Sequence, residues 1–139
     1  MSRYLKVAIE AARSAGRLLA QHVGRPKTIH TKRSPIDLVT DLDRASEALI
    51  AQRLLRNFPS HGFHGEERGP IKPEAAYQWV VDPLDGTMNF VHGLPFFAVS
   101  IGLVHRGRPS LGVIYDPMHD ELFTAIRGAG APHNGPLPR

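Results

Sequence analysis

Residues 96–105 read FFAVSIGLVH and carry apolar side chains at almost every position. A sheet with one solvated face alternates apolar and polar residues, whereas an almost unbroken apolar run is typical of a strand in a sheet that is covered on both faces. The chain of 139 residues has the size of about one domain, so it has room for one core. The run therefore predicts a layered fold whose second face is covered by the same chain or by a partner.

Two helical segments precede the strands and can cover one face. Residues 3–23 repeat apolar side chains three and four positions apart, which predicts an amphipathic helix. Thr40, followed three residues later by Asp43, resembles a capping box and predicts a second helix from there to about residue 57. The intervening residues 27–39 are rich in β-branched side chains and predict two short strands, or a strand and an extended loop.

The second half of the chain is rich in predicted strands. Short apolar runs bounded by turn residues predict strands at 77–82, 96–105, 109–116 and 121–126, and a further strand ends near Phe63. Short connections between the last three indicate hairpins. Two helices followed by a strand-rich half predict an α/β fold, here an α+β layered sandwich with two helices packed on a largely antiparallel sheet.

The amino-acid composition excludes several classes of functional site. The sequence has no cysteine, which excludes zinc–thiolate sites, iron–sulfur clusters and disulfides and favours a cytoplasmic location. No run approaches the ~20 apolar residues of a membrane-spanning helix, so no membrane partner is expected. The net charge of +4 comes from scattered basic residues, whereas carboxylates concentrate in the middle third of the chain. This acidic focus favours a metal or cation site over a groove for a polyanion.

The segment WVVDPLDGTMNF combines a predicted strand with two carboxylates and a turn. Asp82 and Asp85 can point the same way, and the carbonyl of Leu84 lies between them as a third oxygen. Oxygen ligands are what Mg²⁺ selects, and the N–H groups of Gly86 and Thr87 are placed to bind a phosphate at a helix start. A purely structural turn remains the alternative, because D-P-x-D-G is also a favourable turn sequence.

Two further acidic groups support a site in this region. Glu66 and Glu67 follow a predicted strand, and one of the two can be a third carboxylate ligand or a base that orients water. Asp37, Asp41 and Asp43 lie close together around the predicted start of the second helix, where helix capping is the alternative role and is favoured for Asp41. Together, the three groups predict a metal site more strongly than each does alone.

Six segments resemble, in order and spacing, the bacterial branch of the inositol monophosphatase family, a part of the lithium-sensitive, Mg²⁺-dependent phosphatase superfamily. They are DPLDGTMNF (82–90), SPIDLVTDLD (34–43), HGEE (64–67), LPFFAVSIGL (94–103), GVIYDPMHDELFTA (112–125) and GAGAPHNG (128–135). Each segment alone is unspecific, whereas the combination is highly specific. Met88 departs from the Thr common in that branch, at a variable position.

The resemblance implies hydrolysis of a phosphate monoester, with water activated by two Mg²⁺ ions. It implies the metal ligands Glu66, Asp82, the Leu84 carbonyl and Asp85. It implies substrate binding by Leu84, Asp85, Gly86 and Thr87. The catalytic residues that it implies are Glu66 and Thr87, which activate the water, and Asp43, a supporting carboxylate near Thr87. Lys32 and Asp37 match a loop that closes over the site.

The family chain is about twice as long, and its second half carries a W-D-x-A-A-G motif whose Asp completes the second metal site. Residues 1–139 therefore resemble the N-terminal portion of an inositol monophosphatase-like domain, with the C-terminal half absent from this chain. Whether this chain alone is active is left open by the resemblance, and a non-catalytic fragment is one alternative. An uncovered apolar sheet face is also expected.

The first substrate to consider is inositol 1-phosphate or a related sugar phosphate, and a homodimer is expected for the full-length form. A sister phosphatase acting on fructose bisphosphate, histidinol phosphate or adenosine bisphosphate is a second interpretation. The bacterial branch also includes a protein of the transcription antitermination machinery. Binding to RNA or to a transcription complex is therefore a third interpretation, from a different functional class.

Overall fold

The computed structural model describes residues 2–23 and 35–128, and within residues 35–38 it describes the backbone only. Three helices and five strands lie in these ranges. They are α1 (Arg3–Ala20), α2 (Pro35–Asn57), β1 (Gly62–His64), β2 (Tyr77–Asp85), α3 (Thr87–Val91), β3 (Ala98–His105), β4 (Arg108–Asp116) and β5 (Glu121–Ile126). Among the described helices, none is both long enough and apolar enough to cross a membrane.

The first helix begins where the sequence predicts and ends slightly earlier. Ser2 is the N-cap, and its hydroxyl accepts a hydrogen bond of 3.2 Å from the backbone N–H of Leu5. The helix ends at Ala20, and residues 21–23 form a turn. The apolar stripe of α1 is buried, so most of its stability comes from packing on the sheet.

The second helix begins at Pro35, so the predicted start at Thr40 is wrong. Proline is tolerated in the first turn of a helix, because its missing N–H has no intrahelical partner there. The prediction of strands or a loop at 27–39 is therefore wrong for residues 35–39. Residues 27–34, which include Lys32, lie outside the described ranges. The side chain of Asp37 is likewise not among those described.

The five strands form one sheet in the order β1-β2-β3-β4-β5. β1 and β2 are parallel, and the other three neighbouring pairs are antiparallel, so the expected largely antiparallel sheet is confirmed. β2 runs on to Asp85 instead of turning at Pro83, with a register shift between Asp82 and Asp85. A proline is accommodated there because the regular ladder of hydrogen bonds is interrupted.

Both long helices contact the sheet, and the core lies between them and one sheet face. α1 contacts β3 and β4, and α2 contacts β1 and β2. The inward side chains include Trp79, Ile101, Leu103 and Val113, all almost fully buried. The fold class expected from the sequence is therefore confirmed in its essential layers.

The opposite sheet face keeps large apolar side chains exposed within the described part of the chain. Val80, Ile114 and Phe123 are 49%, 46% and 42% exposed. Val80 pairs with Gly102, which in turn pairs with Gly112, so two glycines lie side by side on adjacent central strands. Residues 2–23 and 35–128 therefore leave the second face of the sheet uncovered, although its apolar side chains favour burial.

Candidate metal centre

The pairing of β1 with β2 determines where the candidate site lies. Because these strands are parallel and His64 is paired with Val80, the chain just beyond β1 runs beside the end of β2. Glu66 therefore comes next to Asp82. Helix α2 is joined to the same place, since the hydroxyl of Ser46 donates a hydrogen bond of 3.0 Å to the carbonyl of Pro83. Three elements thus meet at one edge of the sheet.

Three carboxylates converge at this edge. One carboxylate oxygen from each of Asp43, Glu66 and Glu67 lies within 4.8 Å of the other two. Oδ1 of Asp43 is buried and has no hydrogen-bond partner in the described part of the chain. Glu67 is partly neutralised, because its Oε1 accepts a hydrogen bond of 3.3 Å from Nε of Arg44. A buried acceptor without a partner is costly, so this oxygen fits a ligand.

Burial and nearby negative charge raise the pKa of three carboxyl groups at this edge of the sheet. Desolvation, followed by the negative charges of Glu67 and Glu66, raises the pKa of Asp43 from 3.8 to about 7. Desolvation, followed by the charge of Asp82, raises the pKa of Glu66. The pKa of Asp82 is also raised by desolvation, against a hydrogen bond from the backbone of Leu84 that lowers it. Each shift shows that negative charge is disfavoured here without a cation.

The end of β2 and the turn that follows it are held by local hydrogen bonds. The backbone N–H of Leu84 donates to Oδ1 of Asp82 at 3.2 Å, and the hydroxyl of Thr87 donates to the Leu84 carbonyl at 3.3 Å. Gly86 has a φ of 92°, and a Cβ there would lie 2.8 Å from the carbonyl oxygen of Phe96. Only glycine meets both conditions without strain. Asp85 and Thr87 are exposed and accessible to a ligand.

Glu47 is a component of the site that sequence reasoning missed. Its side chain is fully buried, and its carboxylate accepts hydrogen bonds from the backbone N–H groups of Glu66, Glu67 and Arg68 at 2.6, 3.0 and 3.0 Å. The sequence signal that could have identified Glu47 is its spacing of four residues from Asp43, because positions 43 and 47 lie on the same face of a helix. The hydrogen bonds to the chain after β1 could not be inferred from that spacing.

The arrangement of the predicted residues is only partly the expected one. Carboxylate oxygens of Asp43 and Glu66 lie close together in the group of three. Asp82 and Asp85 are not in that group, but their negative charges raise the pKa of Glu66. The tight group also includes Glu67, so both acids of the Glu66–Glu67 pair lie at the site. The donors of this cluster are all oxygens, an unpartnered oxygen is buried among them, and like charges crowd there. Such a site fits a hard divalent cation such as Mg²⁺.

A two-helix layer on a mostly antiparallel sheet, with an acidic group of oxygen donors at one sheet edge, defines an α/β protein with a candidate metal site. The chain belongs to the inositol monophosphatase family, whose sequence pattern it matches over residues 1–139. The family resemblance drawn from the sequence is thereby confirmed. Hydrolases of this family depend on a metal, which agrees with the acidic cluster.

Several named proteins and solved structures are similar to this chain. Inositol monophosphatase 2 of Solanum lycopersicum is 49% identical over 97% of this chain and 52% of its own length. Nus factor SuhB of Pasteurella multocida is 46% identical over 96% of this chain and 51% of its own. The crystal structure of the extragenic suppressor protein suhB from Bartonella henselae superposes with a TM-score of 0.83 at 45% identity, covering 96% and 52%. The chain thus spans about half the length of these relatives.

Proposed function

We propose that this protein contributes the metal centre of a Mg²⁺-dependent phosphatase that hydrolyses inositol 1-phosphate or a related sugar phosphate. The observation that carries the proposal is the crowding of Asp43, Glu66 and Glu67 around a buried oxygen without a partner, next to the DPLDGT segment. Family membership supports a phosphatase, and the choice of substrate rests on the names of relatives.

The proposed ligands of Mg²⁺ are Glu66, Asp82, the carbonyl of Leu84 and Asp85. The Leu84 carbonyl accepts one hydrogen bond from Thr87 and has a second lone pair for a cation. When bound, Mg²⁺ supplies Lewis-acid chemistry, which makes water more acidic and stabilises negative charge on phosphate oxygens.

The proposed roles of the protein's own groups are those that the family resemblance implies. Glu66 and Thr87 orient the attacking water, and Asp43 supports Thr87. The N–H groups of Gly86 and Thr87, beside Leu84 and Asp85, bind the phosphate of the substrate. In the overall reaction the water oxygen bonds to phosphorus, the phosphorus–alkoxide bond breaks, and the alcohol leaves with a proton.

The decisive experiment measures Mg²⁺-dependent phosphate release from inositol 1-phosphate, by the 139-residue chain and by a form extended to the length of the relatives. We expect Asp82→Asn to abolish metal-dependent turnover in the extended form. Glu10→Gln, a matched change on the exposed side of α1, should leave turnover unchanged. If Asp82→Asn retains turnover within a few-fold of the parent, DPLDG is only a structural turn.

Thr87→Ala separates the two proposed roles of the segment. Because Thr87 is proposed to orient the water and is not itself a proposed Mg²⁺ ligand, the loss of its hydroxyl should reduce turnover with Mg²⁺ affinity largely retained. Isothermal titration with Mg²⁺ measures the affinity, and phosphate release measures the rate. Equal losses in both would assign Thr87 to the metal site instead.

The substrate class is tested by competition among phosphate esters. Inositol 1-phosphate should be hydrolysed with a higher kcat/KM than fructose 1,6-bisphosphate, histidinol phosphate or adenosine 3′,5′-bisphosphate. A preference for one of the other three would assign the protein to a sister phosphatase. No turnover of any ester, with Mg²⁺ bound, would favour a non-catalytic role.

A second candidate function is binding to RNA or to a transcription complex, which is favoured by relatives that carry the name Nus factor SuhB. Binding of this kind does not require hydrolysis. Asp82→Asn should therefore retain RNA or polymerase binding in a gel-shift or pull-down measurement while losing turnover. Dimerisation of the full-length form and a cytoplasmic location remain predictions.

A further inference from the structure

The carboxylate of Glu47 is hydrogen-bonded to a stretch of main chain beyond its own helix. Oε1 accepts from the backbone N–H of Glu66 at 2.6 Å and of Glu67 at 3.0 Å, and Oε2 accepts from the backbone N–H of Arg68 at 3.0 Å. Nε of Arg68 also lies 3.3 Å from Oε2. Three consecutive N–H groups are thus satisfied by one buried side chain.

Burial of a carboxylate is unfavourable unless the charge is matched by donors. The three N–H groups and the guanidinium of Arg68 supply this match for Glu47, which is 0% exposed. Strand β1 ends at His64, so residues 66–68 have no strand ladder to fix them. A side chain of α2 therefore provides the hydrogen bonds that a neighbouring strand would otherwise provide.

The chain after β1 is shaped to fit this carboxylate. A Cβ on Gly65 would lie 2.2 Å from Oε1 of Glu47, which no real contact permits. Gly65 has no positive φ, so it is required for space rather than for backbone conformation. Glycine at 65 and glutamate at 47 are thus mutually dependent.

Glu47 lies one helical turn after Asp43, a member of the acidic cluster. The same face of α2 therefore provides one carboxylate of the cluster and the acceptor that holds the backbone of the other two, Glu66 and Glu67. Without that acceptor, mutual repulsion would drive the three cluster carboxylates apart, because the main chain that carries two of them would be free to move.

We propose that Glu47 is a positioning residue for the metal centre: it fixes the backbone of Glu66 and Glu67, so that the carboxylate of Glu66, a proposed Mg²⁺ ligand, is held beside Asp82 and Asp43. This inference rests on the proposed function, in that the cluster is taken to bind a cation. Glu47 itself contacts no cation and no substrate, and it acts only through the chain after β1.

The first test replaces Glu47 by Gln in the 139-residue chain. Glutamine keeps the size of the side chain but presents an NH₂ group, a donor, where Oε2 accepts from Arg68. We expect the amide protons of residues 66–68 to exchange at least about tenfold faster by NMR. We expect the Kd for Mn²⁺, measured by electron paramagnetic resonance, to rise about 10–100-fold, the range typical when a group that orients a metal ligand is lost.

Controls separate positioning from general stability. Glu10→Gln should change neither amide exchange at 66–68 nor the Kd for Mn²⁺. The weakened binding of Glu47→Gln should persist at temperatures where circular dichroism shows both proteins fully folded. If Glu47→Gln does not fold, Gly65→Ala disturbs the same contact from the other side and should give the same two changes.

Each outcome has a distinct meaning. Faster exchange together with weaker Mn²⁺ binding supports the positioning role. Faster exchange with an unchanged Kd overturns it, because the backbone would then be free without consequence for the metal. Unchanged exchange overturns it as well. If the parent chain binds no Mn²⁺ at all, the proposed function fails first and the positioning role fails with it, whatever the exchange rates show.

Discussion

Asp43 carries the greatest electrostatic penalty in the cluster, because its pKa rises to about 7 through desolvation and the charges of Glu67 and Glu66. Glu66 and Asp82 are shifted in the same direction. All three shifts disfavour the charged state of the folded protein. Sites built for binding commonly reduce stability in this way.

The first residue-scale prediction concerns pH. Between the ordinary pKa of Asp43, 3.8, and its folded value of about 7, the folded state binds more protons than the unfolded state, so stability falls as pH rises through this window. We expect the metal-free chain to be more stable at pH 5.5 than at pH 8, by about 1–2 kcal/mol after solvent screening is allowed for. Urea unfolding in EDTA at both pH values measures this.

Asp43→Asn provides the control for this prediction. The variant should be more stable than the parent at pH 8 and should show a weaker dependence on pH, because the group with the most clearly raised pKa is gone. Mg²⁺ should stabilise the parent more at pH 8 than at pH 5.5. Stability of the parent that increases from pH 5.5 to pH 8 without metal would contradict the electrostatic account.

A second residue-scale prediction concerns the identity of the cation. Since the donors are carboxylate and carbonyl oxygens, Mg²⁺, Mn²⁺ and Ca²⁺ should bind and Zn²⁺ should not be preferred. Affinity should be weak, because the family resemblance implies a further carboxylate ligand in the second half of the family chain. Isothermal titration of the parent and of His64→Ala and His92→Ala variants checks this. Tight Zn²⁺ binding that either histidine variant removes would show a different site.

Candidate site residues could be predicted from the sequence where they lie together in one short segment of the chain. Asp82, Asp85 and Glu66 were predicted as ligands because each lies at the end of a predicted strand or shortly after one, among turn residues, and their roles remain predictions. The sequence could not show which of Glu66 and Glu67 contributes to the site, because this depends on how the chain after β1 is held. Glu47 was missed for the same reason, because its partners are backbone N–H groups rather than side chains with a motif.

The elements were predictable where periodicity alone determines them. β5 was predicted with its observed bounds, and β3 begins two residues later than predicted, at Ala98. The start of α2 was not, because the Ser-Pro pair suits both an extended loop and a first helical turn. The course of β2 past Pro83 depends on pairing with β3, which local sequence does not encode.

The element-scale prediction concerns the junction of β2 and α3 at Gly86. Gly86 and Gly107 have similar positive φ values, 92° and 81°, but a Cβ at Gly86 would lie 2.8 Å from the Phe96 carbonyl, whereas one at Gly107 has no neighbour within 4 Å. Gly107→Ala should cost about 1–2 kcal/mol from backbone strain alone. Gly86→Ala should cost clearly more, as measured by urea unfolding. Equal losses would mean that Phe96 moves away freely.

At the scale of the whole molecule, the open sheet face is the dominant feature. Its existence could be predicted from the two-sided apolar run, and in residues 2–23 and 35–128 only two long helices are present to cover the sheet. Its shape could not be predicted from single strands. The adjacent pair Gly102 and Gly112 arises from the register between β3 and β4, which brings residues ten positions apart side by side.

This face leads to a prediction about self-association. Exposed Ile114 and Phe123 are neighbours across β4 and β5, and apolar patches of this kind drive association. We expect a concentration-dependent oligomer in analytical ultracentrifugation, or a melt of poor cooperativity. Replacement of both residues by threonine should reduce association, whereas Leu94→Thr, in the loop between α3 and β3, should not. A monomer with a sharp two-state melt at all concentrations would show that the sheet needs no cover.

The strand order of the sheet equals the strand order of the chain, from β1 to β5. No strand has to be inserted between two that are already paired, so the sheet can grow at one edge while the ribosome releases the chain. At about 5–20 residues per second, successive strands leave the ribosome within seconds of one another. α2 and the segment between β1 and β2, which carry the acidic cluster, are synthesised before the strands that complete the sheet. Any polypeptide synthesised afterwards would pack onto a sheet that has already formed. The order of translation would then determine the order in which the two parts assemble.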